Sequence, residues 1–570
     1  MNEALIEVNF PKLNHFWMDS GLLGLYRIAE NECPEKMEVK IKLNEDGVLF
    51  KGTETNLVSF FHKAYNSLLS EYYNTSTEKQ KQDNTGFYYD SKIGNFLRFP
   101  KVKPMGIAGL IFNKAPRPTK CKVKYEEIDI IESGKKIKKK ILPKDYEHLQ
   151  EGLDNFLSYT GLKISSSNLL LDGRNAIKPH IEINLKKIEQ KGRCFICGDS
   201  SNSLMDIGGT VFPMISGSSG ALSFNSSAGK PEKVCWKCDF VAKFVPVNGF
   251  YTMNKGNYHI YFPYSSNLEK MNYVSRNLRA TEFYVEDPML LRNFDNILGG
   301  YFQKSYEQLF AFLFSLYHVV IVGNDPITST NEDDEINYEN FGISLTKVPP
   351  VFFVMHTEAL GDTQMGKMIW SFQNSIYLYR LLYCLEKDKI NIKEIMTLLV
   401  DFEQKKNENK TIVRNRICER ILKKQTVVEL IEQHVFRVNK KNAHYIKPLN
   451  DFVIRYEKIL NKDDGGKMKQ ELIDSAVSLG KTIGKSIGPI GKKGKGDLFR
   501  LRKTRKPEDF LNEINRIQMK YGTSVTADLY NKGHDFEENF IKFKQFCMIS
   551  ALNTFNDELK RNEKRQEYTK

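Results

Sequence analysis

Cys194-Phe195-Ile196-Cys197 and Cys235-Trp236-Lys237-Cys238 are two Cys-x-x-Cys knuckles, and together they use four of the nine cysteines of the chain. Each knuckle can place two thiolates on one metal ion, so the pair supplies the complete tetrahedral all-thiolate shell of structural zinc. The long spacer is rich in Gly and Ser, from Gly208-Gly209 through Ser216-Gly217-Ser218-Ser219-Gly220 to Ala228-Gly229-Lys230, and reads as a loop pinned at its base by the metal. A redox role would need a thioredoxin-like strand-to-helix setting, and two knuckles favour the metal. Cys33, Cys121, Cys384, Cys418 and Cys547 sit among apolar neighbours and are expected to be buried free thiols, which points to a reducing cytosol.

A second chemistry is suggested by charge. The densest basic segment comprises Lys481, Lys485, Lys492, Lys493, Lys495, Arg500, Arg502, Lys503, Arg505 and Lys506, opposed by Asp497 alone. Glycines 480, 484, 488, 491, 494 and 496 run through it, and they would keep the backbone open to a phosphate. Lysines also stud Lys135-Lys136-Ile137-Lys138-Lys139-Lys140, as either a phosphate-contacting arm or a solvated edge strand. The formal net charge of +14 over 570 residues agrees with a phosphate-rich partner, because Lys and Arg gain affinity by displacing counterions.

Other motifs dissolve on inspection. Gly480-Lys481-Thr482 and Gly484-Lys485-Ser486 imitate the end of a P-loop, but the earlier glycine is replaced by Ser475 and Leu479 and no strand precedes them. His534-Asp535 reads as a helix start capped by Asp535, without companions for a metal-dependent nuclease. The consecutive acids Glu332-Asp333-Asp334-Glu335 read as a solvated linker within Asp325 to Asn340. No nucleophile elbow, Rossmann glycine set or zincin motif occurs, so the chain reads as a binder without an active site.

The elements that position these groups follow from periodicity. The chain is long enough for several domains, and 41% hydrophobic content suffices for true cores. Asp19-Ser20 can cap a helix from Gly21, and Leu57 to Tyr73 has helical spacing. Lys122 to Ile130 alternates as a strand, turns at Ser133-Gly134 and returns through Lys135 to Leu142 as a hairpin. Tyr258 to Phe262 reads as a strand, and Ser305 to Leu316 as a buried helix running into a strand from His318 to Val322. The apolar run from Leu309 is too short for the roughly 20 residues of a membrane span. The amino terminus lacks the basic and apolar segments of a signal peptide. Met368 to Cys384, Ile392 to Gln404, Thr411 to Leu422 and Val427 to His434 read as helices, and Phe536 to Lys564 as a long last helix.

The expected class is α+β. A mixed α/β N-terminal domain spans 1–190, a four-cysteine zinc module 191–242, a continuation of the α/β domain with the acidic linker 243–350, a helical region 351–462 and a basic helical bundle 468–570.

On the four cysteines, on the opening Trp17-x-Asp19-x-Gly21-Leu22-Leu23-Gly24-Leu25 and on the order of elements, the chain resembles the large subunit of type I CRISPR-Cas surveillance (Cascade) complexes, in the subtype I-B branch named for paired CXXC motifs. The resemblance implies a prokaryotic cytoplasmic subunit without chemistry of its own. It would recognise the short flanking motif on double-stranded target DNA, help open the duplex, hold the displaced strand and help recruit the helicase-nuclease. Its implied partners are the guide RNA, the subunit capping the 5′ end of the guide and the backbone subunits. The four cysteines map onto the family's zinc ligands. The motif reader is expected in the loop Ser216 to Lys230, with Ser218, Ser219 and Lys230, or on the lysine arm Lys135, Lys136, Lys138, Lys139 and Lys140. In related systems a separate small subunit starts inside the large-subunit gene. Met468 follows Gly465-Gly466, whose codons can form a ribosome-binding sequence, so Met468 to Lys570 is a candidate second product. The alternatives are a zinc-containing nuclease or recombinase whose site assembles only in three dimensions, and a zinc-braced scaffold that binds proteins.

Overall fold

In the computed structural model, the described residues are 4–73, 86–99, 122–132, 135–164, 166–172, 181, 183–185, 192–201, 203–207, 211–212, 233–254, 256–279, 302, 304–318, 351–360, 363–439, 444–463, 468–525 and 533–568. The chain is mixed α and β, and it divides into two compact units: Met1–Asp295 with Val351–Phe372, and Asn296–Pro350 with Gln373–Lys570. The strand proposed to end at Val322, the acidic linker, the Gly/Ser-rich loop with Ser218, Ser219 and Lys230, and Cys121 lie outside the described residues. No helix among the described residues is long and apolar enough to cross a membrane.

The first unit is built on the helix α1 (Phe16–Asn31), which is buried on nearly every side. Its helix starts at Phe16, with His15 in the capping position, and not at Gly21 as the sequence suggested. Asp19 is fully buried inside the first turn, where it accepts the Leu13 amide at 2.9 Å and faces the Lys12 ammonium at 3.6 Å. Glycines 21 and 24 of the opening motif have a steric reason. A Cβ at Gly21 would meet the Val241 carbonyl oxygen at 2.5 Å, and one at Gly24 the Phe244 oxygen at 2.1 Å. Only bare backbone lets α1 approach that segment so closely.

Around α1 lie a three-stranded antiparallel sheet, in order β1 (Ile6–Pro11), β3 (Gly47–Gly52), β2 (Lys40–Asn44), and the helix α2 (Glu54–Leu68), capped by Thr53. A four-stranded antiparallel sheet follows in the order β14 (Phe250–Asn254), β15 (Asn257–Tyr264), β16 (Val351–Leu360), β17 (Thr363–Phe372). Phe353 of β16 stacks on Phe16 at 4.2 Å, which ties this sheet to α1. The helical expectation for 351–462 is therefore corrected over its first part: Val351–Leu360 and Thr363–Phe372 are two strands, and the helix expected from Met368 starts at Ser375. Pairing with β15 supplies β16 with hydrogen bonds that no local pattern announces.

A smaller hydrophobic cluster, including Phe96, Val123, Leu153 and Leu169, takes in Tyr125 and Leu142, the residues at the two ends of the lysine hairpin. As expected, β7 (Glu126–Glu132) and β8 (Lys135–Ile141) pair antiparallel. Lys122–Lys124 is a separate strand, β6, paired with β9 (Asn168–Leu170), and before it β4 (Gly86–Asp90) pairs antiparallel with β5 (Asn95–Phe99).

The second unit is helical among its described residues. Helix α6 (Ser305–Leu316), numbered after α3 (Gln150–Thr160), α4 (Trp236–Ala242) and α5 (Leu268–Arg279) of the first unit, is pinned by a buried ion pair between Glu307 and Arg414 at 2.7 Å. Tyr317 and His318 extend it by a π-type turn, so the strand expected to begin at His318 does not begin there. Helices α7 (Ser375–Lys387), α8 (Ile392–Leu398), α9 (Ile412–Leu422), α10 (Val428–Val438) and α11 (Lys447–Asp463) follow. Buried Glu457 of α11 accepts the amides of Val427 and Val428 at 2.7 and 3.3 Å, serving as a remote N-cap for α10. The C-terminal helices are α12 (Gln470–Ile487), α13 (Lys495–Lys503), α14 (Pro507–Tyr521), α15 (Gly533–Glu538) and α16 (Phe540–Tyr568).

These helices are not a bundle apart from those before them. Ser550 of α16 donates to Asn450 of α11 at 2.8 Å, and the Asn556 amide donates to the side chain of Asn439 and the carbonyl of His444 at 2.8 and 3.0 Å. All four of these side-chain groups are buried or half-buried, so residues 468–568 share one core with α10 and α11. Met468 itself is only 1% exposed.

Candidate metal centre and basic surface

Local structure brings the two knuckles together. β10 (Gly192–Arg193) and β11 (Ser200–Ser201) form a short ribbon around Cys194 and Cys197. Its turn is closed by Cys194 N–H to Asp199 O at 2.8 Å and Gly198 N–H to Cys194 O at 2.9 Å, with Gly198 at φ +76°, the left-handed conformation that favours glycine. β12 (Leu204–Asp206) pairs with β13 (Lys233–Cys235), which delivers Cys235 to the start of α4 and Cys238 to its first turn. The Phe195 amide bonds the Lys233 carbonyl at 2.9 Å, locking one knuckle to the other.

The four sulfurs all lie within 4.8 Å of one another, and Cys197 and Cys235 are 3.8 Å apart. A tetrahedron with Zn–S bonds of about 2.3 Å has an S···S edge of about 3.8 Å. The donor set therefore fits a metal ion such as zinc in size, number and chemistry. Three of the four cysteines are buried. Backbone amides of Cys197, Asp199 and Cys238 hydrogen-bond to the sulfurs of Cys194, Cys197 and Cys235, the usual way a protein supports thiolate ligands. Hydrogen bonds with the other three thiols push Cys194 far below the ordinary thiol range and push Cys238 far above it. Four such close thiols cannot all ionise unless a cation supplies the opposing charge.

The cluster is part of the main core and not a separate appendage. Trp236, between Cys235 and Cys238 in sequence, lies edge-on to Phe10 at 5.9 Å, and Phe240 lies edge-on to Phe61 at 5.7 Å. Loss of the cluster would loosen α4, and with it the wall against which α1 closes.

Of the other cysteines, Cys418 and Cys547 are buried as expected, Cys384 is half-buried, and Cys33 is exposed, contrary to expectation. Cys33 sits at a left-handed position that opens a short 3-10 turn at the surface.

The basic segment separates into two kinds of residue. Lys481 and Lys485 on α12, Lys493 after it, Arg500 and Lys503 on α13, and Arg505 and Lys506 are exposed. The other two described side chains are engaged within the fold. Arg502 forms a bidentate pair with Glu432, with bonds of 2.6 and 3.0 Å, and lies over the Phe436 ring at 4.6 Å. Lys495 donates to the carbonyl oxygen of Asn439. The side chain of Lys492 lies outside the described residues. Asp497, which appeared to be the lone acid of a basic run, is buried and takes hydrogen bonds from Arg516, Lys520 and Tyr521.

The glycines are likewise reassigned. A Cβ at Gly480 would meet the Cys547 carbonyl oxygen at 2.2 Å, one at Gly484 the Ala551 oxygen at 2.6 Å, and one at Gly488 the Glu558 Cβ at 2.4 Å. Spaced by four, they form a stripe along α12 that admits α16 into backbone contact. Gly494 closes on Ile487, whereas Gly491 and Gly496 have open space. The P-loop resemblance is a by-product of a helix-contact stripe with lysines on its flank.

On the hairpin, Lys138 pairs with Glu127 at 3.6 Å, Lys139 with Asp154 at 3.5 Å, and Lys140 donates to the Ser166 carbonyl at 3.1 Å. In register, Lys138 opposes Asp129 and Lys140 opposes Glu127. The acidic strand thus offsets much of the arm's charge, a feature that counting lysines in β8 alone missed. A comparison of the sequence with known protein families finds no match, and a comparison with curated proteins finds none either.

Proposed function

We propose that this chain is a non-catalytic, nucleic-acid-binding large subunit of an RNA-guided type I CRISPR effector complex, with a structural zinc ion held by Cys194, Cys197, Cys235 and Cys238. In this reading it recognises the flanking motif on target DNA, helps open the duplex and docks with the guide-capping and backbone subunits. Bound zinc would supply the positive charge that keeps four thiolates ionised, while the chain's own residues brace α4 against α1. The observation that carries the nucleic-acid reading is the run of exposed cations Lys481, Lys485, Lys493, Arg500, Lys503 and Arg505, whose neighbours Arg502 and Lys495 anchor the segment to the core. Exposed cations on a rigid frame can neutralise phosphates without the entropy loss of ordering a loop.

The test is selection of randomised duplexes by the complex assembled with guide RNA and neighbouring subunits. Enrichment of a short flanking motif that vanishes when this chain is omitted supports the reading; the same binding without the chain refutes it. Replacing Lys481 and Lys485 with Gln should flatten the slope of log affinity against log salt by about 0.7–0.9 per lost contact. Among the described residues the four cysteines are the group that could hold a metal. A magnesium-dependent cleavage assay on the isolated chain addresses the nuclease or recombinase alternative directly.

A further inference from the structure

We infer that the first unit contains a second, unrelated site: a cleft for a phosphomonoester dianion between α1, α5 and the 3-10 turn Val245–Asn248. The cleft has a volume of about 340 Å³, and Arg27, Arg276 and Arg279 are among the residues that line it. Glu30 is the one carboxylate among its described lining residues, and Arg276 and the Tyr26 hydroxyl both bond it. Three guanidiniums against one carboxylate leave the cleft positive. Arginine is the side chain suited to this ligand, because its planar fork matches two phosphate oxygens at once.

The elements hold these groups in place. On α5, Asn272, Ser275, Arg276 and Arg279 recur at helical spacing and line the same cleft; on α1, Arg27 and Asn31 do so one turn apart. Arg279 donates to the Val247 carbonyl and lies over the Phe250 ring at 5.0 Å, an arrangement that fixes its position.

A separate observation points to a ligand. Asn248 also lines the cleft and is only 4% exposed. The Ser275 hydroxyl donates to its Oδ1 at 2.7 Å, but its Nδ2 has no hydrogen-bond partner. Whichever way the amide is turned, one polar end stays unsatisfied, and a buried unsatisfied amide is costly. A phosphate oxygen is an acceptor that would satisfy it, given a small inward shift of the wall. The inference is independent of the nucleic-acid reading, which rests on residues of the other unit.

The experiment is thermal unfolding of the full chain in phosphate and in sodium chloride of equal ionic strength, with titration calorimetry. Phosphate is expected to raise the melting temperature of the wild type above the chloride value. Arg27→Gln and Arg276→Gln should each weaken phosphate binding about tenfold to a hundredfold. Arg276 is 56% exposed, so its variant keeps the fold and carries the test should Arg27→Gln not fold. Equal melting in phosphate and chloride overturns the proposal, as does phosphate binding unchanged in Arg276→Gln. Further arms with adenosine 5′-monophosphate and with 5′-phosphorylated and 5′-hydroxyl oligonucleotides distinguish a small-molecule source from a strand end: tighter binding of the phosphorylated strand than of the mononucleotide assigns the strand end.

Discussion

Substituting Gly484 with alanine separates two readings of the glycine-rich segment. Were it a phosphate cradle, the methyl group would spare the fold and weaken binding. In the structure the new Cβ falls 2.6 Å from the Ala551 carbonyl oxygen, 2.7 Å from Thr554 Cβ and 3.0 Å from the Phe555 nitrogen. Relaxed carbon contacts lie at about 3.5–4.0 Å, so α12 and α16 must part by roughly 0.8 Å. Two of the three obstructing atoms are helix backbone and cannot swing aside. The seam that opens carries Ile473, Ala476, Ile483 and Ile487 against Phe543, Cys547, Leu552 and Phe555, all buried. A gap of this size forfeits a quarter to a half of each contact's attraction, and overpacking typically costs about 1–3 kcal/mol. Alanine returns about 1 kcal/mol through helix propensity. The net expectation is destabilisation by about 1 kcal/mol, read as a lower urea midpoint or melting temperature, with DNA affinity retained while the chain is folded. Gly496→Ala, with no atom within 4 Å of its Cβ, is the control and should be neutral or slightly stabilising. An unchanged melting temperature for Gly484→Ala, together with lost DNA affinity, would refute the helix-contact account.

Two other expectations are direct. Cys235→Ser should abolish stoichiometric zinc in purified protein and lower the melting temperature, since metal-site free energy is folding free energy; metal analysis showing one zinc per chain in both forms would contradict it. Asp497→Ala should cost about 2 kcal/mol, less than for a fully buried pair because Lys520 and Arg516 remain partly in water. Burial alone would raise the Asp497 pKa, but hydrogen bonds from Lys520, Tyr521 and Arg516 outweigh it and hold the carboxyl well below its usual value. A lowered folded-state pKa means stability that is present above the unfolded value of 3.8 and lost as pH falls below it. Acid titration of unfolding should therefore show the variant's deficit shrinking below that pH, and a constant deficit would argue against the linkage.

Features encoded by neighbours in sequence were legible without coordinates. The knuckles are visible because a metal dictates ligand type and short spacing, and the structure brings their four sulfurs together. The lysine hairpin and helix Ser305–Leu316 follow from alternation and helical period.

What only the tertiary structure decided is which groups a residue meets across large distances in sequence. Thr363–Phe372 became a strand because β16 offered a hydrogen-bonding edge, and not because of its own composition. Arg502 and Lys495 look like their exposed neighbours until Glu432 and Asn439 engage them. Glycines 480, 484 and 488 read as an open backbone until α16 lies across them. Arg27 and Arg276 carry no joint signal in the chain, yet α1 and α5 set them in one cleft. Local patterns report propensity and ligand spacing, whereas the role of a charge or a glycine depends on the partner it meets, and burial and distance settle that partner only when the chain is folded.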